Sequence, residues 1–246
     1  MSSPPTITVT RHGTGRRYAI NGHPTPGVTT ILDEGFPKPA LLNWAADETA
    51  RWGMEHLAEL AELGPVRGYE KLRKARWESN RTAKVRGTAV HDLAEKLSHG
   101  DEVEVPGHLT GHVESVLRFL EDFEVLPVRT ETTVANPEHG YCGTFDVYAA
   151  TNRGPMLLDY KTSKGPPYPE TALQLAAYRW APWWLTDSEV TPALTPQSTA
   201  VVWLSAERYE VYPVDTGPDV FRQFLYVAQT ARFRGEDRSR YIGDPL

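Results

Sequence analysis

Gly143-Thr144-Phe145-Asp146-Val147-Tyr148-Ala149 and, beyond the turn Thr151-Asn152-Arg153-Gly154, Met156-Leu157-Leu158-Asp159-Tyr160-Lys161-Thr162 decide how this chain reads. Phe145, Val147 and Ala149 alternate with Thr144, Asp146 and Tyr148; Met156, Leu158 and Tyr160 alternate with Leu157, Asp159 and Lys161. A period of two is that of a half-buried strand. Glycine at the last turn position suits a tight connection. A hairpin centred between Asn152 and Arg153 sets Asp146 opposite Asp159 and Thr144 opposite Lys161. Opposed residues on one face lie about 4.5–5.5 Å apart at Cβ, so two facing carboxylates repel. A divalent cation between them removes that cost. Lys161, two residues after Asp159, points to the same face.

Two carboxylates and a lysine so placed suit metal-assisted hydrolysis. A hard cation such as Mg²⁺ takes oxygen ligands and keeps several waters, so two protein carboxylates suffice. The ion polarises a phosphoryl oxygen and lowers the pKa of a bound water, and a lysine beside it stabilises developing charge. The same residues also fit a solvated Asp–Lys ladder on a surface strand. Upstream, Val90, Leu93, Ala94 and Leu97 mark an amphipathic helix on which His91 and Glu95 share a face. His91 reads either as a metal ligand or as a structural histidine. Downstream, Gln174 and Tyr178 again stand four apart on a helix.

In this order, Gly87-Thr88…His91…Glu95, Gly143-Thr144…Asp146, Asp159-Tyr160-Lys161 and Gln174…Tyr178 resemble the RecB-like and phage-exonuclease branch of the PD-(D/E)XK nuclease superfamily. The resemblance covers roughly residues 84–180. Val28-Thr29-Thr30-Ile31-Leu32 and Lys38-Pro39-Ala40-Leu41-Leu42-Asn43-Trp44 resemble the N-terminal region of phage-borne members. The resemblance implies an α/β fold with a restriction-endonuclease-like core, a mixed central β-sheet flanked by helices, and an N-terminal extension. Residues 1–246 then form a single nuclease domain, with 1–80 as elaboration and 81–246 as core.

It further implies that His91, Asp146, Asp159 and the Tyr160 carbonyl hold one or two Mg²⁺ or Mn²⁺ ions, and that Lys161 is the catalytic lysine. Gln174 and Tyr178 would support the site, and Glu95 would orient a water or a second metal. The activity implied is hydrolysis of DNA phosphodiesters by an exonuclease acting on duplex ends or single strands in phage-type recombination or repair. A structure-specific endonuclease, a catalytically silent DNA- or partner-binding module and a non-nuclease metal hydrolase remain alternatives. A ring-forming oligomer and a single-strand-annealing recombinase or helicase as partner stay open. The iron–sulfur members of this branch need four cysteines; this chain has only Cys142, which excludes such a cluster and any disulfide within the chain.

A length of 246 residues, a hydrophobic fraction of 40% and a charged fraction of 24% fit one globular enzyme. No run of about 20 apolar residues offers a membrane span. The first residues lack a signal-peptide pattern, so the expected location is cytoplasmic, in a bacterial host if phage-encoded. The net charge of −6 disfavours DNA binding unless charge is segregated. From Arg67 to Arg86 it is: Arg67, Lys71, Arg73, Lys74, Arg76, Arg81, Lys84 and Arg86 face only Glu70 and Glu78. With Thr88, the later members of this run are the candidate phosphate contacts; a solvated helix face is the plain alternative.

Elsewhere, 7–10 and 17–20 read as a hairpin, 39–63 and 107–125 as helices, and Glu131-Thr132-Thr133-Val134 as a first core strand. Glu131 has reach toward the site, although its position suits a strand-edge surface residue. Trp180, Trp183 and Trp184 follow the Gln174 helix as core, partner-packing or base-stacking aromatics. Pro192 and Pro196 mark a loop before a second hairpin, 200–204 with 209–214, and Phe221, Phe224, Leu225 and Ala228 mark a last helix.

Overall fold

The computed structural model describes the backbone of residues 3–13, 15–163, 165–187, 189–236 and 238–243, and within these the side chains of all but 12, 40, 76, 78–84 and 238. In chain order the elements are β1 (Ile7–His12), β2 (Gly15–Ile20), β3 (His23–Thr25), α1 (Val28–Gly35), α2 (Pro39–Glu55) and α3 (Leu57–Ser98). There follow α4 (Thr110–Asp122), β4 (Leu126–Asn136), β5 (Tyr141–Ala150), β6 (Met156–Lys161) and α5 (Glu170–Arg179). The chain ends with β7 (Trp183–Thr186), β8 (Glu189–Pro192), β9 (Ser198–Leu204), β10 (Tyr209–Pro213) and α6 (Pro218–Gly235). The residues form two compact units: Met1–Phe36 together with Val90–Leu246, and Pro37–Ala89.

The first unit is built on a seven-stranded sheet in the order β10-β9-β6-β5-β4-β7-β8. The β6–β9 pair is parallel and the others are antiparallel, so the sheet is mixed. Parallel neighbours need a crossover connection; here α5 and the β7–β8 hairpin supply it. One face is covered by α1, α5 and α6. Val28, Ile31 and Leu32 of α1, Ala177 and Tyr178 of α5, and Phe224, Ala228 and Ala231 of α6 share one apolar cluster with Val134, Tyr141, Phe145, Leu157 and Val201 of the strands. Spacings of three and four residues put these side chains on one stripe of each helix. On the opposite side Tyr160 packs edge-on against Phe119 of α4, ring centroids 6.2 Å apart. The fold is therefore mixed α/β, a central sheet flanked by helices.

Strand β6 departs from the half-buried expectation. Met156 through Tyr160 are all buried, and only Lys161 opens toward solvent. The strand lies between β5 and β9 with both faces covered, which is the setting of a near-continuous apolar run. The loop expected around Pro192 and Pro196 follows β8, but the segment before it holds two strands that the sequence pattern did not mark. Trp183–Thr186 and Glu189–Pro192 pair as a hairpin, and β7 joins β4 through Val134↔Trp184. Four-residue strands flanked by Pro182 and Pro192 give a weak period-two signal, and proline fits only the end of an edge strand.

The helix expected over 39–63 ends at Glu55; α3 begins at Leu57 and is broken at Gly64, whose φ of 70° is non-helical. The small β1-β2-β3 sheet is antiparallel and meets β5 through Tyr18, whose hydroxyl lies 3.0 Å from Thr144 Oγ1. Among the described residues no helix is long and apolar enough to cross a membrane.

Helix α1 packs on α6 at backbone distance. A Cβ on Gly35 would stand 2.3 Å from the Val227 carbonyl oxygen and 2.9 Å from Val227 Cγ1. Since a carbonyl cannot swing aside as a side-chain tip does, Gly35→Ala should lower unfolding stability by about 1–3 kcal/mol. Urea denaturation measures this, and an unchanged midpoint would remove the α1–α6 approach from the packing argument.

Candidate active site

The site is assembled where the β5–β6 hairpin stops pairing. Its turn closes as read from the sequence: Thr151 Oγ1 donates to the Gly154 carbonyl at 2.8 Å. Gly154 sits at φ 91°, where glycine carries no Cβ penalty. The ladder follows the expected register through Ala149↔Met156, Tyr148↔Leu157 and Val147↔Leu158. It does not continue to the expected Asp146–Asp159 and Thr144–Lys161 pairs. Instead the Tyr160 backbone N–H donates to Asp146 Oδ2 at 2.7 Å. The Asp146 carboxylate thus takes the place of a strand carbonyl. At the same level of the sheet, between the pairs Thr130↔Val147 and Thr132↔Phe145, Glu131 adopts φ 42°, a left-handed conformation unusual inside a strand.

Asp159 is 2% exposed. Its Oδ1 accepts from Gln174 Nε2 at 3.1 Å. Its Oδ2 lies 2.6 Å from Lys161 Nζ, although it receives no hydrogen bond of good geometry. Burial raises the Asp159 pKa and the Asp146 charge adds to the rise, while Lys161 opposes both. Burial pulls Lys161 down, but Asp159 and then Asp146 outweigh it and hold the ammonium above its ordinary value. Gln174 Nε2 also reaches the Tyr178 hydroxyl at 3.1 Å. Helix α5 therefore presents Gln174 to Asp159 and Tyr178 to Gln174. Tyr178 fills the space above Gly143, where an added Cβ would stand 2.4 Å from Tyr178 Cε1. Burial and the nearby Asp159 charge push the Tyr178 phenol well above its usual range, so it stays a neutral hydroxyl.

His91, on the last turns of α3, places Nδ1 3.4 Å from Asp146 Oδ2 and its ring edge-on to Tyr160 at 5.9 Å between centroids. Glu95 turns toward β4: Thr130 Oγ1 donates to its Oε1 at 2.9 Å and lies 3.1 Å from His99 Nε2. Glu131 is no plain surface residue. Arg16 of β2 pairs with it at 2.5 Å. Burial, then the Asp146 charge, nevertheless hold its carboxyl above the ordinary value. The signal for its place was positional: it stands one strand over from Asp146.

His91, Asp146, Asp159, Tyr160, Lys161, Gln174 and Tyr178 therefore belong to one continuous set of contacts, with Glu95 and Glu131 at its margin. Among the described residues no three His, Cys, Asp or Glu side chains are arranged to hold a metal ion together. The donor chemistry nonetheless suits a hard cation: two carboxylates, an imidazole beside one of them, and in Asp159 Oδ2 a buried oxygen whose one close partner is the Lys161 ammonium.

Arg73, Lys74, Arg86 and Thr88 belong to the Pro37–Ala89 unit. Arg73 pairs with Glu70 at 3.0 Å, and Lys74 and Thr88 are exposed. The side chains of Arg76, Arg81 and Lys84 lie outside the described residues. No protein-family model matches this chain, and no curated protein matches it.

Lys161→Met would leave Asp159 buried without its cation. A carboxyl whose folded pKa exceeds its unfolded value binds more protons when folded, so stability falls as pH rises from about 4 to the raised folded value. The variant should therefore lose about 2 kcal/mol or more at pH 7 and much less at pH 4. Urea unfolding at the two pH values reads the difference, and an equal loss at both would show that Asp159 does not depend on Lys161.

Proposed function

We propose that this chain is a metal-dependent deoxyribonuclease of the RecB-like, phage-exonuclease kind, with its seven-stranded sheet serving as a restriction-endonuclease-like core. The observation that carries the reading is the buried Asp159, held by Gln174 on one oxygen and facing the Lys161 ammonium with the other. A carboxylate 2% exposed in a central strand is expensive as mere scaffold, and perturbed carboxylate–lysine sets gather at functional sites. The order of motifs along the sequence supports the same reading.

Asp146, Asp159 and His91 would hold the divalent ion, with the Tyr160 carbonyl beside them. When bound, such an ion polarises a phosphoryl oxygen and lowers the pKa of water. Hydrolysis forms a new P–O bond from water and breaks one P–O ester bond; the water loses a proton and the leaving oxygen gains one. The chain's own groups set the geometry for this exchange. Lys161 brings a charged ammonium, kept so by Asp159 and Asp146, to stabilise charge on the phosphoryl oxygens. Gln174 fixes the rotamer of Asp159 by holding Oδ1. Tyr178, packed on Gly143, restrains Gln174 in turn. The polymer substrate is DNA, attacked from its ends; the basic residues of the Pro37–Ala89 unit are the phosphate contacts in this reading.

The test is digestion of 5′-labelled linear duplex, single-stranded and covalently closed circular DNA with Mg²⁺, with Mn²⁺ and with chelator. Loss of the linear forms alone, requiring metal, is expected. Lys161→Ala should cut the rate about 100-fold or more with DNA binding retained, and Asp159→Ala should weaken Mn²⁺ binding by calorimetry. Nicking of the circle would make the enzyme an endonuclease. Cleavage by Lys161→Ala at the wild-type rate would sink the assigned chemistry, and binding without cleavage would leave a silent module.

A further inference from the structure

We infer that Trp203 is a positioning residue for Lys161, an inference that rests on the proposed nuclease reading for its catalytic consequence but not for its structural one. Lys161 is the last residue of β6, and its partner across the parallel β6–β9 ladder is Trp203. Paired residues of neighbouring strands project to the same face, about 4.8 Å apart. Beyond Lys161 the ladder ends and the chain leaves the sheet, turning at Ser163, whose hydroxyl donates to the Gly165 carbonyl at 2.7 Å. Among the described residues no strand pairs with this segment. The Trp203 indole holds it instead, its Nε1–H donating to the Ser163 carbonyl at 2.8 Å. A side chain thus extends the sheet's hydrogen bonding two residues past its end, and Lys161 is clamped between the ladder on one side and the indole bond on the other.

The indole is itself held. Glu210 of β10 pairs with Trp203 across the β9–β10 ladder, and its carboxylate receives Arg208 Nε at 2.7 Å. This sets the Arg208 guanidinium 5.8 Å from the Trp203 ring centroid, within the range of a cation–π contact. Lys161, Trp203 and Glu210 therefore form one cross-strand row. The rationale for a catalytic effect is geometric. Lysine carries a flexible four-carbon stem with large rotamer freedom, so even with its ammonium paired to Asp159 a shift of the Cα that bears it alters the approach of the ammonium. An error of about 1 Å in a reacting group costs on the order of 100-fold in rate. The exposed loop after β6 is the place where such an error would enter, and Trp203 is the residue that restrains it.

Two replacements of Trp203 in the full chain test this: Trp203→Phe, which removes the N–H donor and part of the ring, and β-(3-benzothienyl)alanine at the same position, which keeps the ring shape and removes only the donor. Two readouts are taken. The first is hydrogen exchange of peptides covering residues 160–166, which needs no activity. Both replacements should speed exchange there severalfold and leave peptides of β5 and α5 unchanged. Wild-type exchange rates in both replacements would overturn the inference. The second is steady-state cleavage of linear DNA. kcat should fall about tenfold with KM within twofold of wild type and melting temperature nearly unchanged. A rise in KM with kcat intact would make Trp203 a substrate-stacking surface instead, and would also overturn it. If the wild-type protein cleaves nothing, the nuclease reading fails by itself, while the exchange data still decide whether Trp203 holds the Lys161 segment.

Discussion

The buried carboxylate of Asp159 is the constraint on which the rest of this structure depends. An ion of that size moved out of water without compensation costs several kcal/mol even after relaxation, about as much as a domain has to spare. The chain answers with two groups from two elements, Lys161 and Gln174, the second braced by Tyr178. Lys161 follows two positions along the same strand, which a strand's period places on the same face. Gln174 and Tyr178 come from α5, so that helix must return over β6 before the chain can enter β7. The crossover that lets β6 and β9 lie parallel is thus also the segment that satisfies Asp159. Gly143 completes the set from β5: only a residue without a side chain leaves room for the Tyr178 ring. Topology and site electrostatics are here one problem with one solution.

A second set of features sits at a single level of the sheet. Asp146 withdraws from ladder pairing to cap the Tyr160 N–H, and Glu131 across from it takes a left-handed φ, a conformation that costs about 1 kcal/mol or more for a residue with a side chain. The strict alternation of β5 lapses at the same point. Phe145 and Tyr148 differ in parity, yet both rings lie 5.2 Å from Trp184. A regular sheet would send these side chains to opposite faces. The irregularity leaves Glu131 on the strand beside Asp146; burial first, and then the Asp146 charge, raise its pKa. Arg16 then compensates Glu131 from β2, so the N-terminal hairpin contributes charge to the site as well as covering surface.

What the sequence disclosed, and what it withheld, follows from the range of each interaction. The β5–β6 hairpin, its turn, the last hairpin and the final helix were legible because period-two and period-3.6 patterns and turn residues are local. The association of His91, Asp146, Asp159, Lys161, Gln174 and Tyr178 was reached through an ordered resemblance, and the contacts between them come from packing that no single segment encodes. The β7–β8 hairpin stayed hidden because four-residue strands between prolines carry almost no periodic signal. The burial of both faces of β6 depends on α4 and α5, far apart in sequence. Glu131 looked like a strand-edge residue since nothing local announces a left-handed backbone in a β-rich stretch, and its partner Arg16 lies 115 positions away. The end of the Asp146–Asp159 ladder was invisible for a related reason: register arithmetic assumes that backbone groups pair with backbone groups, and here a side chain claims one of them.

The charge balance of the chain follows the same logic of local compensation. A net charge of −6 coexists with a basic run in the Pro37–Ala89 unit, and part of that run is paired: Lys71 with Glu59 at 3.2 Å and Arg73 with Glu70 at 3.0 Å. These pairs are weak. Both are solvent-exposed, and exposed pairs contribute at most about 1 kcal/mol. The Asp159–Lys161 pair is the opposite case. With Asp159 sealed from solvent, water screens the attraction poorly, and withdrawing Lys161 would strand the carboxylate. Burial, not the count of charges, separates the two cases.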